Sequence, residues 1–221
     1  MTANPTSLGR RERAKEDKRR RILAAARELF VERGVSGVTT QQIADRADVA
    51  VGTLFLYAST KAELLIMVQN EKFATAIDEG LSAATVAEQA GAAAQEVIFA
   101  IVHPVVRCIR EQVENGRTYL HELVFGDPTE PHRREGLSLS LRLEGGLINV
   151  LTRDGTITSA EASTLARVIT SVIHVSTTAT LYSHRTPTEV IEDICVQIHA
   201  VLHTGPFRPA LTASHNTRRD S

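Results

Sequence analysis

The strongest constraint on this fold is how regularly a helical apolar period is started and stopped. Ile22, Ala25, Ala26, Leu29 and Phe30 stand at i, i+3, i+4, i+7 and i+8, one face of a helix. Thr39…Gln42, Thr60…Glu63, Thr158…Glu161 and Thr186…Glu189 each read as a capping box. Pro187 adds the favoured first helical position to the last of these. Gly34 with Gly37, Gly116, Phe125 to Pro128, and Asp154 with Gly155 read as stops. Helical segments are expected at about 61–80, 88–114, 117–125, 131–153, 159–183 and 187–203. No alternating Val/Ile/Thr hairpin series interrupts them, so the fold class is all-α.

Composition narrows the setting. With 221 residues and 43% hydrophobic content, the chain can bury a substantial core. Two cysteines cannot build a disulfide framework, which points to a reducing compartment. The longest uncharged run, Val168 to His184, is too short and polar to span a bilayer, and no secretory signal is visible. A cytoplasmic protein is expected. The net charge of −1 conceals an asymmetry: residues 1–61 carry 12 Lys+Arg against 7 Asp+Glu (net +5), leaving net −6 for the rest. Arg10, Arg11, Arg13, Lys15, Lys18, Arg19, Arg20 and Arg21 concentrate the excess, a pattern suited to a phosphate backbone.

A helix-turn-helix pattern succeeds the basic run. The first helix ends near Gly34, and the Thr39 box opens a short second helix with Ile43, Ala44 and Ala47 inward. Asp48-Val49 makes the tight connection to a third short helix from about Ala50 to Tyr57. The stretch from Val38 to Leu65, with the preceding helix from about Arg20, resembles the DNA-binding region of TetR-family transcriptional regulators. Agreement in register at Ile22, Phe30, Gly34, Thr39, Ile43, Ala44, Val49, Gly52, Thr53, Leu54, Tyr57, Lys61 and Leu64 carries the resemblance.

That resemblance divides the chain into a basic N-terminal arm (1–17), a DNA-binding domain (18–62), a ligand-binding and dimerisation domain (63–203) and a disordered tail (204–221). Thr39 and Thr40 would meet backbone phosphate at a helix N-terminus. Gln41 would contact base or phosphate, and Val51, Gly52 and Thr53 would approach the duplex. Tyr57 and Lys61 would hold phosphates, whereas Leu54 belongs to the core. Asp48 replaces the usual turn glycine, with Asp48 itself a substitute cap, and Ala50 replaces the usual N-cap serine. Phe55 replaces a phosphate-binding tyrosine, and Val51 and Leu56 make the recognition helix apolar enough to meet thymine methyls.

The last two helices carry Leu165, Val168, Ile169, Val172 and Val175, then Val190, Ile191, Ile194, Cys195, Ile198, Val201 and Leu202. By resemblance they form a four-helix homodimer interface, with Ser171, Ser176, Thr177 and Ala179 permitting close approach. Such a dimer would place recognition helices in successive major grooves, about 34–36 Å apart on a near-palindromic operator. A mid-helix Pro104 locates a ligand pocket among Phe99, His103, Val106, Tyr119, His121, Leu123 and Phe125. Without a cluster of buried charge, a largely apolar small-molecule effector is favoured.

The implied function is a ligand-responsive regulator, a repressor released from DNA by its effector. An activator, or a ligand-binding module with a degenerate DNA head, are the alternatives. No nucleophile elbow, phosphate loop or dinucleotide fingerprint occurs, so neither catalysis nor a cofactor is expected. His199 and His203 have a metal-compatible spacing but lack the intervening Glu of a zinc hydrolase, and no metal site is assigned. Cys108 and Cys195 are read as ordinary buried thiols, with oxidant sensing the minor alternative.

Overall fold

The computed structural model describes residues 5–204, with side chains over 9–202. Among the described residues nine α-helices run in order: α1 (Pro5–Arg33), α2 (Thr40–Arg46), α3 (Val51–Leu54), α4 (Lys61–Gln89), α5 (Ala94–Arg110), α6 (Val113–Phe125), α7 (Pro131–Thr152), α8 (Ser159–Thr178) and α9 (Pro187–Thr204). A short 3-10 turn at Thr180–Tyr182 precedes α9. Among the described residues there is no strand, and the fold is all-α.

Several boundaries move for identifiable reasons. The basic segment expected as an arm is helical from Pro5 onward, continuous with the first helix of the head. Arg, Lys and Glu are good helix formers, and the Glu16–Arg19 and Asp17–Arg20 pairs sit three residues apart on that helix. The third helix closes at Leu54 rather than Tyr57, and Phe55, Leu56 and Tyr57 continue it as hydrogen-bonded turns. The segment expected at 159–183 ends at Thr178, where Ala179 turns extended. The tail expected after residue 203 lies outside the described residues, apart from Thr204, which closes α9.

Gly116 does not break a helix. The break falls at Glu111 and Gln112, where the Gln112 side chain accepts from Asn115 N and caps α6. Gly116 sits inside α6 because that helix presses on the end of α5: a Cβ there would overlap the Ile109 carbonyl oxygen. The expected stop at Gly34 holds, with φ +68.

Two cores share one helix. The smaller core joins Ile22, Ala26, Leu29 and Phe30 of α1 to Ile43, Ala44, Leu54, Leu64, Leu65 and Val68. The larger joins Ile66, Phe73 and Ile77 of α4 to α5, α6, α7, α8 and α9 through Val97, Ile101, Val105, Leu147, Ile169 and Ile194. Successive residues of α4 therefore face different cores, and the expected division at residues 62 and 63 falls within a continuous helix. Arg133 fastens the α6–α7 connection: it pairs with Glu122 at 2.7 Å and donates to the Asp127 carbonyl.

Gly116→Ala tests the α5–α6 contact. The substitution gains about 1 kcal/mol of helix propensity, but overpacking against a backbone carbonyl costs ~1–3 kcal/mol. The carbonyl is part of a helix and cannot swing aside, so a lower thermal midpoint is expected by circular dichroism. A midpoint equal to or above that of the parent protein would show that the two helices have room to part.

Candidate DNA interface and effector cavity

The turn of the helix-turn-helix is built by polar closure at both ends. Thr39 is the N-cap of α2, its hydroxyl accepting from Gln42 N at 3.2 Å while Gln42 Oε1 accepts from Thr39 N at 2.9 Å. This reciprocal pair is the capping box expected from the sequence. Asp48 takes the left-handed conformation (φ +52) that a glycine would take at this point. It does not cap α3, because Ala50 is the N-cap and has no side-chain hydrogen bond. Instead Arg21 Nη1 reaches the Asp48 carbonyl and carboxylate, both at 3.3 Å, tying the turn to α1.

The DNA-contact candidates occupy one end of the head in different ways. Thr39 and Gln41 are exposed, and Thr40, Val51 and Thr53 are half-buried. Gln41 Nε2 donates to Asp45 Oδ1 at 2.7 Å, which commits part of its amide. Gly52 is exposed, and a Cβ built there meets nothing within 4 Å. Leu54 is fully buried, as expected, while Phe55 is 44% and Leu56 83% exposed. Tyr57 and Lys61 have structural partners that the spacing did not disclose. The Tyr57 hydroxyl donates to the Lys15 carbonyl at 3.0 Å. Lys61 Nζ donates to the Val35 and Val38 carbonyls at 2.8 and 3.0 Å, closing the α1–α2 loop. An ammonium has three N–H donors, so one is left for a phosphate.

The second feature is a cavity of about 460 Å³ bounded by α4, α5, α6, α7 and α8. Phe73, Val105, Ile109, Leu120, Leu143 and Ile173 make it apolar, with Ser140, Glu144, Thr170 and His174 as polar points. Two of the seven candidate pocket residues, Leu123 and Phe125, line it. His121 and Phe125 line an adjoining chamber of about 620 Å³, together with Glu114, Arg117, Thr118 and His174. The other four stand elsewhere. Val106 is packed in the core, and Phe99 lies half-buried against it. His103 points outward, because residues 101, 102, 105 and 106 take the inward face of α5. Tyr119 is held by a buried network: its hydroxyl donates to Asn70 Oδ1 at 2.9 Å, and Asn70 Nδ2 donates to the His132 carbonyl at 2.8 Å. Its ring meets Phe73 edge-on at 5.8 Å, and burial pushes the phenol well above its ordinary range.

Arg117 and His174 were missed from sequence because they come from different helices, and His174 lies in the run assigned to the dimer. Burial, with His121 beside it, holds the His174 imidazole below its ordinary pKa.

The cysteines belong to neither feature and form no disulfide. Burial pushes the Cys108 thiol up to about 11 and raises Cys195 as well, which disfavours the reactive thiolate. His199 Nδ1 lies 2.9 Å from Gln95 Oε1, and the side chain of His203 lies outside the described residues.

On α8, Val168, Val172 and Val175 stand at i, i+4 and i+7, one stripe of the helix. Val168, Val175 and Val196 are exposed. Leu165, Ile169, Ser176 and Thr177 of α8, and Val190, Ile194 and Ile198 of α9, turn into the protein's own core instead.

Residues 22–68 match the family model described as bacterial regulatory proteins, tetR family. Over 60 residues the chain is 40% identical to the HTH-type transcriptional repressor KstR of Mycobacterium tuberculosis, covering 27% of each chain. The same identity over 60 residues relates it to KstR of Rhodococcus jostii, covering 27% of this chain and 28% of that protein. The alignment thus spans little more than a quarter of these relatives' length. The fold likeness extends much further. FadR of Thermus thermophilus, a TetR-family repressor in complex with lauroyl-CoA, superposes with TM-score 0.63 at 20% identity, covering 83% of this chain and 92% of that one. FadR of Bacillus subtilis with stearoyl-CoA gives TM-score 0.57 at 18% identity, covering 80% and 96%. A TetR regulator from Rhodococcus sp. RHA1 gives 0.63 at 16% identity, covering 87% and 98%. The head thus matches the TetR family of bacterial regulators, and the all-α body shares the fold of solved TetR-family structures.

Proposed function

We propose that this protein is a homodimeric transcriptional repressor that binds a near-palindromic operator and leaves it when a largely apolar small molecule enters the body. The observation that carries this reading is the open face of α2 and α3. Thr39, Gly52 and Thr53 stand on it beside the exposed Phe55 and Leu56, on the part of the chain that holds the excess of basic residues. The closed turn at Asp48 supports a working head over a degenerate one. Phe55 and Leu56 favour apolar contact with thymine methyls and a large share of positioning by phosphate and shape.

The repressor assignment is supported by the KstR relatives, and the effector assignment by the apolar cavity and by FadR neighbours that bind lauroyl-CoA and stearoyl-CoA. The dimer is supported by the α8 stripe. A groove along it, lined by Val168, Val172 and Val175 with Thr164, Arg167 and Ser171, and by Gln197 of α9, offers a symmetry mate an apolar stripe with polar edges. In this reading α4 carries the effector's influence, because its first turns belong to the head and its remainder to the body.

Gly52→Glu separates DNA contact from folding. The site has open space around it, so the variant keeps the thermal midpoint of the parent protein. Its affinity for a selected operator, measured by fluorescence anisotropy, falls at least about 100-fold, because a carboxylate is brought against the phosphates. The parent protein's affinity should fall steeply with salt. Equal binding of operator and random duplex at physiological salt would end the specific-repressor reading.

Val168→Glu tests the dimer. Light scattering should then return the single-chain mass of 24.1 kDa instead of twice that, and operator affinity should drop because two half-sites are no longer held together. A variant that remains dimeric would move the interface away from α8.

A further inference from the structure

The apolar cavity and its neighbour meet. Phe125 and His174 line both, so an apolar chamber and a polar one adjoin. The polar chamber gathers Arg117, Thr118 and His121 from α6 with His174 and Thr178 from α8. Its basic groups outnumber its carboxylates. Among the described residues Arg117 makes no ion pair, and its Nη2 donates only to Thr180 Oγ1, at 3.1 Å. A second arginine, Arg110, lies nearby: burial first, and then the Arg117 charge, hold its pKa below the ordinary value.

Arg110 is 2% exposed and, among the described residues, has no carboxylate partner. Its guanidinium is held by the carbonyls of Thr177, Tyr182 and Arg185, at 3.4, 3.0 and 2.6 Å, and its Nε is left without a partner. Carbonyl dipoles hold a buried cation in place but bring no negative charge to neutralise it. One carboxylate, Glu114, lines the chamber too, its Oε1 accepting from Ser36 N at 2.9 Å, so one negative charge stands against the two arginines in and beside the chamber.

We propose that the effector is amphipathic, with an extended apolar chain in the apolar chamber and a carboxylate or phosphate in the polar one against Arg117, His121 and His174. Arg117 supplies the charge and planar donors that suit either anion. His121 and His174 supply ring N–H donors, and an anion beside them opposes the burial and the His121 charge that hold the His174 pKa down. Phe125 lines both chambers and is tilted against His121 at 4.9 Å between centroids, so it stands between the apolar part and the polar one.

This proposal rests on the effector reading of the apolar cavity, and three probes distinguish the failure of one from that of the other. Binding of dodecanoate, lauroyl-CoA and dodecanol to the full-length protein is measured by calorimetry, alongside Arg117→Gln, His174→Gln and Ser140→Phe, the last filling the apolar chamber. At least one anionic probe should bind about tenfold or more tightly than dodecanol. Arg117→Gln and His174→Gln should erase that preference while leaving dodecanol unchanged, and Ser140→Phe should weaken every probe. Preference for dodecanoate identifies a carboxylate site, and preference for lauroyl-CoA a phosphate site. If dodecanol binds as tightly as both anions, or if both Gln variants weaken all three probes equally, the anion site is wrong while the apolar cavity stands. If none of the probes binds, the apolar-effector reading falls with it. Circular dichroism of each variant confirms its fold, and the two Gln variants come from different helices, so misfolding of one leaves the other decisive.

Discussion

Most of this structure depends on α4 belonging to two cores at once. Leu64 and Leu65 are fully buried in the head core, and Ile66 and Ile77 fully buried in the body. Each such side chain is worth about 1.5–3 kcal/mol of burial, so neither core can release the helix without losing a large part of its own stability. The start of the helix is also fixed from outside. Thr60 caps Glu63 N at 3.0 Å, but Glu63 does not complete the expected box. Its carboxylate is 2% exposed and accepts from His132 N at 2.7 Å, at the first turn of α7. His132 Nε2 in turn lies 3.1 Å from the Tyr57 carbonyl, and Ser59 Oγ donates to Glu130. The beginning of α7 is thereby pinned to the turn between the third and fourth helices.

The balance between local and distant forces explains what could be read from sequence. The Thr39, Thr158 and Thr186 boxes formed as written because both partners sit three residues apart and need nothing else. Leu54 and the inward face of α1 followed from period alone. Glu63 went another way because a partner distant in sequence prevailed over the local one, and the backbone partners of Tyr57 and Lys61 are likewise distant in sequence. Tyr119 looked like a pocket aromatic until Asn70, 49 residues earlier, claimed its hydroxyl. Gly116 has the same lesson at the backbone level, since a glycine inside a helix can mark a close approach as readily as an end. Of the effector cavity, the sequence located α6 but not the face of α8 that opposes it. A stripe rich in Ser, Thr and His reads the same whether it meets a ligand or a second subunit.

The departures in the head have compensations of their own. Aspartate is among the few non-glycine residues that tolerate the left-handed region, and the pairing of Asp48 with Arg21 adds a contact that glycine would lack. Arg21 is also one of the basic residues counted toward DNA attraction, so part of that charge is committed to architecture. The same holds for Arg19 and Arg27, both of which pair with Glu71 of α4. The positive excess of the head is accordingly less available to phosphate than its formal value suggests. Specific geometry at α2 and α3 then has to carry more of the affinity.

A second physical link between body and head runs through the N-terminus of α6. Asn115, buried, donates from Nδ2 to the Phe30 carbonyl at 2.7 Å, and Glu114 accepts from Ser36 N. Both acceptor and donor lie at the end of α1, next to the loop that Lys61 closes. Three residues on from Glu114, Arg117 faces the polar chamber, and Leu120, Leu123 and Phe125 face the apolar one. A rigid helix 13 residues long therefore touches the DNA-binding head at one end and lines the cavity along the rest. An occupant that shifts α6 cannot do so without disturbing the Asn115–Phe30 bond, whose loss would strand a buried carbonyl. With α4 fixed in both cores, the effector response in the proposed function is a change in the angle of the head rather than in its internal fold.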